Sequence, residues 1–304
     1  MVSDALDVAR SHDGSLARAR FRIGDHEFRE PDYRQILLWS KALELDPAVI
    51  VQRLENTYSD VTRCPAFLAR DGAIEALGWD FSLLPIQEFE WVDGLVIRWI
   101  DFKGVPTASL LLRLPLLDHL YCSGIGLTEL DLSNVPLLSS LHCGDNQLSE
   151  LDLSSVPLLD ELEVDKNKVT ELDLSNVPLL SSLHCGDNQL SELDLSNVPK
   201  LRHLSCGGNQ LTELDLSNVP KLRHLFCDGN QLSELTLSHV PLLDFLVCRD
   251  NQLTKLDLSN VPALRIFDCG GNQLVELDVR AQPGLRALRL DPSVKLRKRA
   301  TQKF

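Results

Sequence analysis

From residue 115 onward the apolar positions fall into a fixed order that matches neither a helix nor a simple strand. The stretch from Leu190 to Gln210 reads LSELDLSNVPKLRHLSCGGNQ, with its apolar residues at Leu190, Leu193, Leu195, Val198, Leu201, Leu204 and Cys206. In Leu204-Ser205-Cys206 apolar and polar residues alternate, which is the period of a strand. Leucine and cysteine should face inward and serine outward. Glu192-Leu193-Asp194-Leu195 alternates too, and predicts a second extended leg with its leucines inside and its acids outside.

The order repeats every 21 residues. Asn recurs at 146, 167, 188, 209, 230, 251 and 272, and Pro at 115, 136, 157, 178, 199, 220, 241, 262 and 283. Cys recurs at 122, 143, 185, 206, 227, 248 and 269, with Val164 in the one gap. Segments 127–154 and 169–196 differ only at Leu127 against Val169, the mark of a recent internal copy. One such unit cannot bury its apolar face alone and must stack on its neighbours. Stacked strands pair about 4.8 Å apart, so nine units predict a parallel sheet on the order of 40 Å long. The Asn column is expected to cap backbone groups of the turns. The Pro column fixes φ where the chain turns back.

Written from Leu201, the unit is LxxLxCxxNxL followed by xxLDLSxVPx. It resembles the leucine-rich repeats of bacterial proteins, in particular the 21-residue class with LxxLxCxxNxL and LxxLDL halves. The resemblance covers roughly 115–293. It implies a repeat solenoid, a leucine-rich-repeat horseshoe or right-handed β-solenoid with a concave parallel sheet. Such scaffolds bind proteins through outward positions of that sheet.

The flanks follow other rules. All four tryptophans lie before residue 100. Pro31 to Glu44 reads as an amphipathic helix with Ile36, Leu37, Trp39 and Leu43 near one face. Asp46-Pro47 reads as an N-cap and first residue of a second helix. Asp93-Gly94, between extended runs 88–92 and 95–102, predicts a hairpin. Residues 26–114 are therefore expected to form a small α+β cap on the array. Residues 1–25 lack pattern and are expected to be flexible. Residues 294–304, with Lys295, Arg297, Lys298, Arg299 and Lys303, are expected to form a solvated basic tail.

Charge and composition sharpen this picture. The chain carries a net −14, which argues against nucleic acid as the main partner. Residues 1–114 hold 13 basic and 18 acidic residues and the tail five basic ones, so the repeats account for the whole acidic balance. The copied columns Glu129, Glu150, Glu171, Glu192, Glu213, Glu234, Glu276 and Asp131, Asp152, Asp173, Asp194, Asp215, Asp257, Asp278 are expected to form a solubilising face rather than a calcium stripe. The cysteines are expected to be reduced core positions, since no C-x-x-C pair exists. Cys64 stands apart from them. Neither a signal-peptide core nor a membrane span is evident, so a cytoplasmic protein is expected. A protein delivered into a host cell by a specialised export route is the alternative.

GxSxG, P-loop, HExxH and kinase motifs are absent, and no cofactor, metal or catalytic residue is expected. An enzyme housed in residues 1–114 is the remaining alternative. Related effectors with a ubiquitin-ligase domain carry it after the repeats, where only residues 294–304 follow here. The variable outward positions are the candidate site. One column is Tyr121, His142, Glu163, His184, Ser205, Phe226, Val247, Asp268 and Arg289, and the column two residues earlier includes His203, His224, Phe245 and Ile266. Phe226, Phe245, Val247 and Ile266 should form one exposed patch, with Arg202, Arg223, His203 and His224 beside it. Aromatic residues rimmed by arginine are typical of protein-binding surfaces. His203 and His224 could chelate a metal only with a third ligand that the sequence does not offer. The expected partner is a protein, bound by a monomer.

Overall fold

The alternation at Leu204-Ser205-Cys206 becomes a short strand in each coil of the computed structural model. That model describes residues 21–23, 26–43, 45–56, 67–70, 73–80, 97–103, 110–111 and 114–302. Before the repeats come β1 (Phe21–Ile23), β2 (His26–Phe28), α1 (Glu30–Leu43), α2 (Pro47–Asn56), β3 (Phe67–Arg70), β4 (Ala73–Asp80), β5 (Trp99–Lys103) and β6 (Leu110–Leu111). Along the repeats follow β7 (His119–Tyr121), β8 (Leu130–Asp131), β9 (Ser140–His142), β10 (Glu161–Glu163), β11 (Ser182–His184), β12 (His203–Ser205) and β13 (His224–Phe226). The series ends with β14 (Phe245–Val247), β15 (Ile266–Asp268), β16 (Glu276–Asp278), β17 (Ala287–Arg289) and β18 (Lys295–Arg297).

Strands β7, β9 to β15 and β17 pair in parallel, each residue opposite the one a repeat later, as in His203↔His224 and Ser205↔Phe226. The central leucine of each of these strands is buried in most coils, as Leu162, Leu183 and Leu225 are at 0% exposure. The cysteines behind them are buried and free of disulfides. Burial holds the Cys206 thiol up at about 12, so the column acts as a small apolar side chain.

The Asn column carries the turns. Asn209 Nδ2 donates to the carbonyls of Cys185 at 3.0 Å and Cys206 at 3.1 Å, while its Oδ1 accepts the Leu190 N–H at 3.0 Å. One buried amide thus ties three coil segments together. The residue before each Asn sits in the left-handed region, at φ 53° in Asp145, 51° in Asp187 and 66° in Gly208. Glycine and aspartate tolerate that conformation and fill this column except at Lys166, which adopts it at φ 53°.

The second leg keeps its expected burial, with Leu193 and Leu195 inside and Glu192 and Asp194 outside. Among the described residues it pairs as a strand only at the ends, β6 with β8 and β16 with β18. Between them the leg is held by its buried leucines and by one backbone bond per coil at its start, as where Gln210 N–H donates to Leu190 O at 2.9 Å. Strand pairing is therefore continuous on the sheet side and sparse on the other.

The cap joins the array more closely than the pattern suggested. Strand β5 pairs in parallel with β7, with Ile100 opposite Leu120, so Ile100 and Phe102 take the places of the repeat's Leu and Cys. Both are buried. Strand β4 adds a further parallel pairing, and β3 closes the sheet antiparallel. Only Asp71 and Gly72 separate β3 from β4, a hairpin signal of the kind read instead at Asp93-Gly94. The latter pair lies outside the described residues, as does Cys64.

Both helices are present. Ala48 N–H donates to Asp46 Oδ1 at 2.8 Å, the expected N-cap. On α1, Ile36 and Trp39 are buried, whereas Leu37 is 39% exposed. Leu37 lies a hundred degrees around the helix from Ile36 and so falls off the inward face. Within the stretch expected to lack pattern, β1 pairs antiparallel with β2. At the other end, residues expected to form a solvated tail instead form another partial coil. Leu277 lies opposite Leu296 in the β16–β18 pair, and Gln302 Nε2 donates to the Val279 and Gln282 carbonyls, both at 2.8 Å. Arg297 reaches Glu276 at 2.6 Å. Val294 and Leu296 supply the apolar contact that the run of basic residues hid.

Candidate functional site

The outward residues of the sheet separate into two groups. Near its start, Tyr121 stacks on His142 with ring centroids 4.4 Å apart. His142 Nδ1 lies 2.8 Å from Glu163 Oε2, and its Nε2 lies 3.2 Å from Ser140 Oγ. Burial pulls the His142 pKa down, but the bonds and charges of Glu163 and Glu161 outweigh it, and the net shift is upward. Glu163 is held low by the same bond. His184 follows, half-buried, one strand on.

A raised histidine pKa has a definite sign. The protonated ring stabilises the fold fully below its unfolded pKa near 6.5, and that stability fades as pH rises through the higher folded value. His142→Phe keeps a ring against Tyr121 and removes the charge. It is expected to lower the melting temperature more at pH 5.5 than at pH 8.5. Equal losses at both pH values would show that the ion pair contributes nothing.

The second group is apolar. Phe226 and Phe245 sit on neighbouring strands with ring centroids 4.9 Å apart, and His224 lies 5.9 Å from Phe245. Val247 is opposite Phe226, and Ile266, 38% exposed, is opposite Phe245. His203 and His224 lie side by side at 4.6 Å, with Arg202 and Arg223 exposed next to them. Burial, and then the nearby His224 and His184, push the His203 pKa down. Among the expected site residues, Phe226, Phe245, Val247, Ile266, His203, His224, Arg202 and Arg223 therefore come together. Tyr121, His142 and Glu163 form a separate hydrogen-bonded run. Asp268, at the far border, lies 3.9 Å from Arg289.

Three features escaped the sequence. Asp244 lies 3.3 Å from His224 Nε2, and its signal was only its place one residue before a strand. Arg265 and Arg286 occupy that same column and are exposed. Away from the sheet face, Leu116, Leu137, Leu158 and Leu179 recur after the prolines, with Leu137 at 41% and Leu158 at 42% exposure. Their period was visible and returns at Leu242, 43% exposed, but the position varies elsewhere to Lys200, Lys221, Ala263 and Gly284.

The two acid columns behave differently. Each Asp of the second leg accepts the backbone N–H two residues on, from a serine in all but Asp278, whose donor is Arg280; Asp194 accepts from Ser196 at 2.8 Å. Backbone and side-chain hydrogen bonds from that serine hold Asp152, Asp173, Asp215 and Asp257 below the usual carboxylate range. These aspartates shape the turn. The glutamates beside them line an exposed crevice between legs, at Glu171, Glu192 and Glu213.

Known proteins share this architecture. A family model described as Leucine Rich repeats (2 copies) matches residues 199–239. A leucine-rich repeat protein of Leptospira interrogans superposes with a TM-score of 0.59 at 21% identity, covering 70% of this chain and 62% of that one. An internalin from Listeria monocytogenes gives 0.57 at 23% identity, covering 66% and 62%. The functional domain of InlJ from Listeria monocytogenes, described as including a cysteine ladder, gives 0.49 at 30% identity, covering 59% and 50%. The chain thus spans from half to about three fifths of the length of these proteins. No curated protein matches it by sequence. Among the described residues no helix is long and apolar enough to cross a membrane.

Proposed function

We propose that this chain, which is a leucine-rich repeat protein, works as a non-catalytic scaffold that binds a protein partner on the concave face of its sheet. The observation that carries this reading is the contiguous patch of Phe226, Phe245, Val247 and Ile266 on three adjoining strands. A coil needs none of these four side chains for its own packing, because the core position in each strand is filled by Leu225, Leu246 or Phe267. Partly exposed aromatic and aliphatic groups side by side, rimmed by arginine, are the composition of a protein-binding hot spot. The seven free thiols of the ladder support action in a reducing compartment.

The test is affinity capture with the full chain as bait, followed by quantitative mass spectrometry. A discrete set of proteins should be enriched by the native chain and lost from the Phe226→Ala/Phe245→Ala chain. An unchanged set with both baits would move the binding surface elsewhere.

A further inference from the structure

The apolar patch lies beside a row of charges set by the residue that precedes each strand. Backbone bonds lock this row in register, with Arg223 N–H donating to Arg202 O and Arg286 N–H to Arg265 O, both at 2.8 Å. Early in the sheet the row holds Asp118 and Asp160; in the region of the patch it holds Arg202, Arg223, Arg265 and Arg286. These four arginines are exposed, and none forms an ion pair among the described residues. Of the acids nearby, Asp268 faces Arg289 at 3.9 Å and Asp250 pairs with Arg249 at 2.8 Å, while Asp244 lies 3.3 Å from His224 and within ion-pair distance of none of the four arginines. In a chain of net charge −14, uncompensated arginines gathered on one border of the apolar patch leave a charge to be met from outside.

Resting on the binding reading above, we infer that the segment docked on this face is an acidic, amphipathic stretch of a partner protein. Its aromatic or aliphatic side chains seat against Phe226, Phe245, Val247 and Ile266. Its carboxylates lie along the arginine row, where the backbones of Arg202 and Arg223, and of Arg265 and Arg286, are one strand spacing of about 4.8 Å apart. A guanidinium presents paired N–H donors that match a carboxylate. Nucleic acid fits less well. A phosphate backbone needs a continuous basic track, and here Asp244 interrupts the row while Asp228 and Asp250 border the other side of the patch. Val247 and Ile266 also offer branched aliphatic surface where a base would need a flat ring.

The experiment uses the full chain and short fluorescein-labelled synthetic peptides, read by fluorescence anisotropy. One peptide alternates Glu or Asp with Phe or Leu; two others carry Gln or Lys in place of the acids. A single-stranded oligodeoxynucleotide of matching charge is the fourth probe. The acidic peptide is expected to bind at least about tenfold tighter than the glutamine peptide, with the lysine peptide weaker still. High salt should shrink the difference, and the Arg223→Glu/Arg265→Glu chain should reverse it. Equal affinity for the three peptides, no binding of any of them, or tighter binding of the oligonucleotide would each overturn the inference. Capture separates this failure from failure of the broader reading. If the charge-reversed chain still captures the native partners while Phe226→Ala/Phe245→Ala loses them, the acidic segment is wrong and the binding face stands. If the double alanine chain captures them normally, the binding face itself is wrong.

Discussion

Replacing Asn209 with alanine is expected to destabilise the array by about 2–4 kcal/mol, a large loss for a single side chain. The change leaves the Leu190 N–H without the Asn209 oxygen that accepts it at 3.0 Å, and it takes from the Cys185 and Cys206 carbonyls one of two amide donors each, Asn188 and Asn230 remaining at 3.2 and 3.0 Å. A buried backbone group without a partner costs about 1–3 kcal/mol, and each further hydrogen bond lost costs about 1 kcal/mol. Because each coil is stabilised only by its neighbours, a break in mid-array also uncouples the coils on either side. Each repeat supplies its own control. Asn197 is exposed and bonds only Ser196 Oγ, at 3.1 Å, so Asn197→Ala should cost within about 0.5 kcal/mol. Asn272, near the end of the array and half-buried, should fall between the two. Urea unfolding followed by circular dichroism orders the three variants. Equal midpoints for Asn209→Ala and Asn197→Ala would refute the ladder as a source of stability.

The double change Phe226→Ala/Phe245→Ala is expected to weaken partner binding by at least about a hundredfold, or roughly 2.7 kcal/mol. The two rings contact each other at 4.9 Å and present one surface, so removing both empties the centre of the patch. The fold should lose about 1 kcal/mol or less, because both rings are partly exposed while Leu225 and Leu246 behind them remain buried. Binding and melting are therefore predicted to separate. Loss of affinity in step with a large fall in melting temperature would make the rings structural instead.

What the sequence made legible follows from how repeats encode structure. A residue fixed at every twenty-first position answers to a constraint that every coil shares. Leucine, cysteine and asparagine therefore declared their places without any knowledge of the fold. The outward residues declared themselves by varying against that background, and the register places Phe226, Phe245, Val247 and Ile266 together as the spacing requires.

The missed features are those where a different side chain meets the same physical need. Ile100 and Phe102 fill the core places of Leu and Cys one strand before β7, but Trp99 lies 20 residues from its partner His119. The shift of one residue and the change of side chains hid the match. Gln302 carries out end-capping with a longer side chain among basic neighbours, which reads as a tail. The left-handed column escaped notice because Asp145, Lys166 and Gly208 share a backbone conformation and no side-chain chemistry. The aspartates of the second leg looked like a solvated face because only their charge was weighed. Their hydrogen bonds to the backbone two residues on are local and give them a shaping role. Arg265 and Arg286 share the column of Arg202 and Arg223, but Asp244 breaks the series between them and neither is followed by a histidine.

The central claim is that partners engage the sheet face and not the outer legs. Site-specific photocrosslinking tests it most directly, with a photoreactive phenylalanine placed at Val247 on the patch or at Asp194 on the second leg of the full chain. The account predicts a covalent adduct with the captured partner from position 247 and none from 194. Adducts from 194 in the absence of any from 247 would contradict it.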